Sequence, residues 1–121
     1  MELQYSGAFN PLYLIRDGNI TQYKADKFPI GYRGDDEVKP FTNNIIKLQK
    51  GDTFYIFSDG YADQFGGPKG KKFMAGNFRD LLLKASEMPI EKQKEFLNTT
   101  IETWRGELEQ VDDVLVIGVT I

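Results

Sequence analysis

Lys50-Gly51-Asp52-Thr53-Phe54-Tyr55-Ile56-Phe57-Ser58-Asp59-Gly60 is the stretch on which the fold turns. Lys50-Gly51-Asp52 reads as a turn. Thr53 to Phe57 is β-branched and aromatic, without polar alternation after Thr53, which predicts a central strand covered on both faces. Ser58-Asp59-Gly60 then ends the strand with a carboxylate, and Gly60 lets the chain turn sharply. A second acidic turn, Asp112-Asp113, stands directly before Val114-Leu115-Val116-Ile117, a run that also reads as a core strand. If the two strands are neighbours, their carboxylates meet at one edge of the sheet. Carboxylates brought together repel unless a proton or a cation intervenes. Magnesium or manganese would accept them, with water completing the shell. The plain reading stands beside this one: Asp-Gly is a common turn, and Asp112-Asp113 is a solvated strand start. Asp63 is near enough to join, although its ordinary reading is the exposed residue of a short turn.

Outward from that stretch, Leu12 to Arg16 and Asn19 to Tyr23 read as two strands. The Asp17-Gly18 connection between them predicts a hairpin whose two turn residues both take positive φ. Lys24 to Gly34 reads as a loop, with Pro29-Ile30-Gly31 fixing a tight path and burying one apolar side chain. Val38 to Leu48 reads as one strand or two short ones, interrupted near Asn43-Asn44. Gly66 to Lys72 reads as a solvated loop with little to bury. It lacks the ending and context of a nucleotide-binding loop.

Two helices follow. Asn77 is placed to cap Phe78 to Ser86, with Asp80 in a capping-box position. Phe78, Leu81, Leu82 and Ala85 form one stripe at helical spacing. Pro89 suits the first position of a second helix, whose buried side is Ile90, Leu97, Ile101 and Trp104, with Gly106 as its stop. Val111 to Ile121 reads as a closing strand, in which Gly118 marks a bulge or a close contact. Strands, then two helices, then a strand predict an α+β fold, a mainly antiparallel sheet with two helices packed on it.

At 121 residues the chain is long enough for one domain with a real core. Its net charge of −3 argues against a nucleic-acid partner held through phosphates. With no histidine and no cysteine, imidazole and thiolate chemistry are excluded, and oxygen donors are what remain for a metal. No run approaches the roughly 18–20 apolar residues that a spanning helix needs. Arg16, Arg33, Arg79 and Arg105 are scattered, and none is marked by its neighbours as a phosphate clamp.

Taken together, these segments resemble the C-terminal half of a type 2C metal-dependent serine/threonine protein phosphatase domain, of the sporulation stage II protein E branch. Tyr5-Ser6-Gly7-Ala8-Phe9-Asn10-Pro11-Leu12 is similar to that branch's Ala-Gly-His-Asn-Pro-Pro segment, with Phe9 in place of the histidine. Pro29-Ile30-Gly31 resembles its Pro-Leu-Gly. Lys50 to Gly60 resembles its Gly-Asp, strand and Asp-Gly motif, and Gln110 to Val114 its terminal Asp-Asp.

The resemblance implies a partial type 2C-like α/β sandwich over residues 1–121, with the N-terminal half of the domain absent. It implies two manganese or magnesium ions in the intact domain. Asp59 and Asp112 would ligate the same ion, Asp113 would orient neighbours or water, and Gly60 would keep the turn open. The family's bridging Asp has no match here. The isolated chain is therefore expected to be inactive, with exposed sheet edges or faces that self-association would cover.

The implied function is hydrolysis of phosphoserine or phosphothreonine on a regulatory protein in bacterial signalling, such as an anti-sigma-factor antagonist. It would be carried out in a cytoplasmic domain of a larger parent with an upstream sensor, whether or not that parent is membrane-tethered. The alternative is a non-catalytic regulatory or partner-binding domain, a pseudophosphatase.

Overall fold

A computed structural model describes residues 1–31 and 39–121. The element order is β1 Glu2–Tyr5, β2 Leu12–Arg16, β3 Asn19–Tyr23, β4 Asn44–Lys47, β5 Thr53–Phe57, α1 Gly60–Asp63, β6 Phe65–Gly66, β7 Lys71–Lys72, α2 Ala75–Ser86, α3 Ile90–Arg105 and β8 Val116–Thr120. The fold is α+β, an antiparallel sheet core with a small number of packed helices, as in part of a type 2C sandwich. Two compact units divide the chain: Met1–Ile56 with Gly118–Ile121, and Phe57–Ile117.

In the first unit the main sheet has the order β3-β2-β5-β8, and β1 pairs with β4 separately. β2 and β3 form the predicted hairpin, Leu12 opposite Tyr23 through Arg16 opposite Asn19. Asp17 and Gly18 take φ of 50° and 73°, as a two-residue turn of this kind requires. β2 is buried along Leu12, Tyr13, Leu14 and Ile15, so it is the strand covered on both faces. The sequence points to β5 for that role. In β5 Thr53 and Tyr55 are buried while Ile56 is 38% exposed, which is the alternation of a strand with one open side. β8 lies at the sheet edge, beyond β5, with Ile117 and Val119 partly exposed. It is shorter and less buried than a core strand starting near Asp112.

Leu12, Leu14, Ile46 and Leu48 make the apolar cluster of this unit, with Leu3, Tyr5, Tyr23 and Phe54 packed around them. The register Leu3 opposite Ile46 explains how β1 and β4 supply part of it. Asp52 is buried and bridged by Arg16, Nε to Oδ1 at 2.8 Å and a second guanidinium nitrogen to Oδ2 at 2.6 Å. The Gln49 amide also donates to Asp52 at 2.8 Å. This ties the end of β2 to the turn before β5. Gly118 lies against the Tyr55 ring, where an added Cβ would stand 2.7 Å from a ring carbon, so the close contact expected there is present.

Three local expectations are corrected here. Ile30 is 82% exposed and buries nothing, because the Phe28–Phe41 ring pair, 4.6 Å between centroids, already fills the space under that loop. Of Val38 to Leu48 only Asn44–Lys47 is strand, and the part from Arg33 to Val38 lies outside the described residues. β1 was not foreseen, since its short polar-flanked alternation is a weak signal.

In the second unit the aromatic centre is Tyr61. It stacks on Phe78 and meets Phe73 edge-on, while Phe73 meets Trp104 and Phe57 meets Phe78. α2 begins at Ala75, two residues before the predicted cap. Asn77 lies within its first turn and donates to the Phe73 carbonyl at 2.7 Å instead of capping. α3 starts just after Pro89 and ends at Gly106, φ 56°. Gln93, Leu97 and Ile101 form its buried stripe; Ile90 is 43% exposed, being one turn too early to reach the core. Gly66 to Lys72 is the β6–β7 hairpin and is not a free loop. Gly66 is buried on the Trp104 carbonyl, Gly67 lies under the indole, and the Gly67 amide donates to the Trp104 carbonyl at 2.9 Å.

Candidate functional site

The candidate site lies within the second unit, where the end of β5 runs into α1. Ser58 holds the arrangement together. Its amide donates to the Leu115 carbonyl at 3.0 Å. Its hydroxyl donates to the Asp113 carbonyl at 2.7 Å and accepts from the Leu115 amide at 3.0 Å. Three hydrogen bonds therefore fasten the Ser58-Asp59-Gly60 turn to the Asp113–Leu115 segment. Gly60 is buried directly beneath that segment: an added Cβ would overlap the Asp113 carbonyl oxygen and stand 2.7 Å from its carbon. The close approach of two backbones demands glycine here, since Gly60 does not take positive φ. The expected role of keeping a turn open is replaced by that of letting the second acidic segment come close.

Asp59 precedes α1, and its carbonyl accepts from the Asp63 amide at 3.0 Å. The Asp112 carboxylate accepts from the Asp113 amide at 2.8 Å, and the Asp112 carbonyl accepts from the Gln110 side chain at 2.9 Å. The side chains of Asp59, Asp112 and Asp113 all lie on exposed residues. Asp63 turns away to Lys72, 3.7 Å from its ammonium. Arg16 is engaged by Asp52, and Arg105 by Glu102 and the Leu108 carbonyl. Arg79 has a partner of its own, and Arg33 lies outside the described residues.

Oxygen is the donor type available, which suits magnesium or manganese. Among the described residues no group of three or more Asp, Glu, His or Cys is placed to hold an ion. The residues present fit such an ion in kind and fall short of it in number. Ser58 is the functional residue that sequence reasoning passed over. Its signal was a hydroxyl at the last position of a strand, directly before the acidic turn.

The whole chain, residues 1–121, matches the family model for stage II sporulation protein E (SpoIIE), and the chain belongs to that family. Its fold is that of the type 2C, metal-dependent phosphatases. The SiaA-PP2C domain of Pseudomonas aeruginosa is similar over 99% of this chain and 46% of that one, with 30% identity and a TM-score of 0.86. The PP2C phosphatase domain of the cell fate determinant SpoIIE from Bacillus subtilis, solved with a fragment of its regulatory domain, covers 99% of this chain and 34% of that one. Its identity is 18% and its TM-score 0.68. A structure of the SpoIIE phosphatase domain alone gives 17% identity and a TM-score of 0.59, over 99% of this chain and 51% of that one. The chain thus spans about half the length, or less, of the solved chains it matches. Comparison with curated proteins returned no match. Among the described residues no helix is long and apolar enough to cross a membrane.

Proposed function

We propose that this chain is the C-terminal part of a phosphatase domain that removes phosphate from phosphoserine or phosphothreonine of a regulatory protein. The observation that carries this reading is the Ser58 clasp between the two acidic turns, which places Asp59 and Asp112 on fastened, neighbouring segments. Asp59 and Asp112 would hold one manganese or magnesium ion, and the remainder of a two-ion site would come from the preceding half of the domain. Such an ion lowers the pKa of bound water and offsets charge on a phosphoryl group. Ser58 and Gly60 keep the two acidic segments in contact. Asp113 would orient neighbouring groups through its position beside Asp112. With metal-activated water as the attacking group, no side-chain nucleophile is required of this chain.

In the full-length parent, Asp59→Asn and Asp112→Asn should each abolish manganese-dependent turnover and leave the folded state in place, read by circular dichroism. Turnover retained in both variants would refute the assignment. A non-catalytic reading has one observation in its favour, the lack of any three-residue acidic cluster among the described residues. A parent that binds phosphoprotein without hydrolysing it would support that reading. The regulatory partner of a domain of this kind would be an anti-sigma-factor antagonist or an equivalent phosphoprotein.

A further inference from the structure

Phe9 has φ of 66°, a backbone state that bulky L residues rarely adopt. The Asn10 amide donates to the Ala8 carbonyl at 2.8 Å. That i to i+2 bond, with positive φ between, is a γ-turn of the rare and strained form. The turn is held from several sides. The Phe9 amide donates to the Asp26 carbonyl at 2.8 Å, the Asp26 amide donates to the Gly7 carbonyl at 2.9 Å, and the Tyr5 hydroxyl donates to the Asn10 carbonyl. Despite this restraint the ring is 59% exposed. Strain of this kind persists where surrounding structure imposes it, and it gathers at ligand clamps. A buried ring would offset that strain by packing, but this ring is mostly in solvent.

Its surroundings suit a polypeptide. Asp26 is also the anchor of the Phe41-Thr42 segment, accepting from the Thr42 amide at 2.7 Å and its hydroxyl at 3.0 Å. Phe41 stacks with Phe28, and Ile30 stands 82% exposed two residues further on. Three segments carrying apolar side chains thus converge on one aspartate whose carboxylate is already occupied. Lys24, Lys27 and Lys39 flank these segments in sequence; all three are exposed. Exposed aromatic rings with a cationic rim favour an anionic chain that also carries apolar side chains.

We infer that Phe9, presented by this strained turn, is the docking contact for the phosphoprotein substrate, an acidic extended polypeptide. The inference rests on the phosphatase reading above. Phe9 positions the protein substrate and touches none of the reacting atoms.

The test uses the full-length parent with two substrates, p-nitrophenyl phosphate and phosphorylated casein, the latter an acidic, extended phosphoserine protein. Phe9→Gly and Phe9→Asn both accept positive φ. Each should raise KM for casein about tenfold, the scale of one apolar anchor, with kcat and ester hydrolysis unchanged. Phe9→Tyr should restore the parental KM. The thermal midpoint of Phe9→Gly should stay level or rise as the strain is released. Unchanged casein kinetics in both variants, or no turnover of casein by a parent that hydrolyses the ester, would overturn the inference. So would a lowered thermal midpoint in both, which would make the ring a packing group. Absence of ester hydrolysis in the unmodified parent would instead count against the phosphatase reading itself.

Discussion

Gly60 and Asp52 show how single residues set this structure. Gly60 lies so close to the Asp113 carbonyl that no side chain fits. Both contacting groups are backbone, so neither yields easily. Gly60→Ala should cost about 1–3 kcal/mol, the usual range for overpacking. In the parent it should also abolish manganese-dependent hydrolysis, because relief requires the two acidic segments to separate. Thermal denaturation and ester hydrolysis check the two effects. Asp52 is a different case. The Arg16 guanidinium beside it holds its carboxyl below the ordinary carboxylate range, against the opposing effect of burial, with the Gln49 amide adding to the lowering. The stability this contributes is present above the unfolded carboxyl's pKa of about 3.9. It is lost as pH falls through the lower folded value. Asp52→Ala should therefore lower stability by about 1–3 kcal/mol at pH 7, the cost of stranding partnered donors. The variant should also lose less than the parent sequence as pH drops from about 5 to 2. Urea unfolding across that range measures both.

Among the elements, the β6–β7 hairpin and the end of α3 depend on each other. Gly66 and Gly67 sit against Trp104, whose indole nitrogen donates to the Gln64 carbonyl at 2.9 Å. Gln64 is wholly buried and donates in turn to the Phe65 and Glu109 carbonyls. Trp104→Ala should destabilise by about 3–5 kcal/mol, as large aromatic truncations do, and should release amide protection along Phe65–Lys72, read by hydrogen exchange. Much of the architecture was legible in the sequence: the Asp17-Gly18 hairpin, the strand before Asp59, both long helices and the pairing of the acidic turns' strands. Those signals are local, set by turn chemistry and side-chain period. What was not legible depended on tertiary partners. β5 and β2 exchanged the roles of open and fully covered strand because burial is decided by neighbouring elements. The hairpin at Gly66 looked like a loop because its partner, Trp104, is distant in sequence. Asn77 had capping chemistry available, but the helix began earlier and drew it into the first turn. At the site, Asp59 and Asp112 could be singled out by their strand-end positions. The Ser58 clasp could not, since its three bonds cross to residues more than fifty positions away.

At the scale of the whole molecule, the chain belongs to the SpoIIE family and spans about half or less of each solved phosphatase chain it matches. Its two acidic turns are fastened together, yet among its described residues no three metal-binding side chains gather. A divided site accounts for both facts: this chain contributes two carboxylates, and the preceding half of the domain completes the set. The most direct measurement is manganese-dependent hydrolysis of p-nitrophenyl phosphate by this chain beside the parent domain extended upstream. The account predicts turnover in the longer protein alone, lost in it on Asp59→Asn. Equal turnover by this chain would contradict it, as would undiminished turnover by the longer protein carrying that substitution.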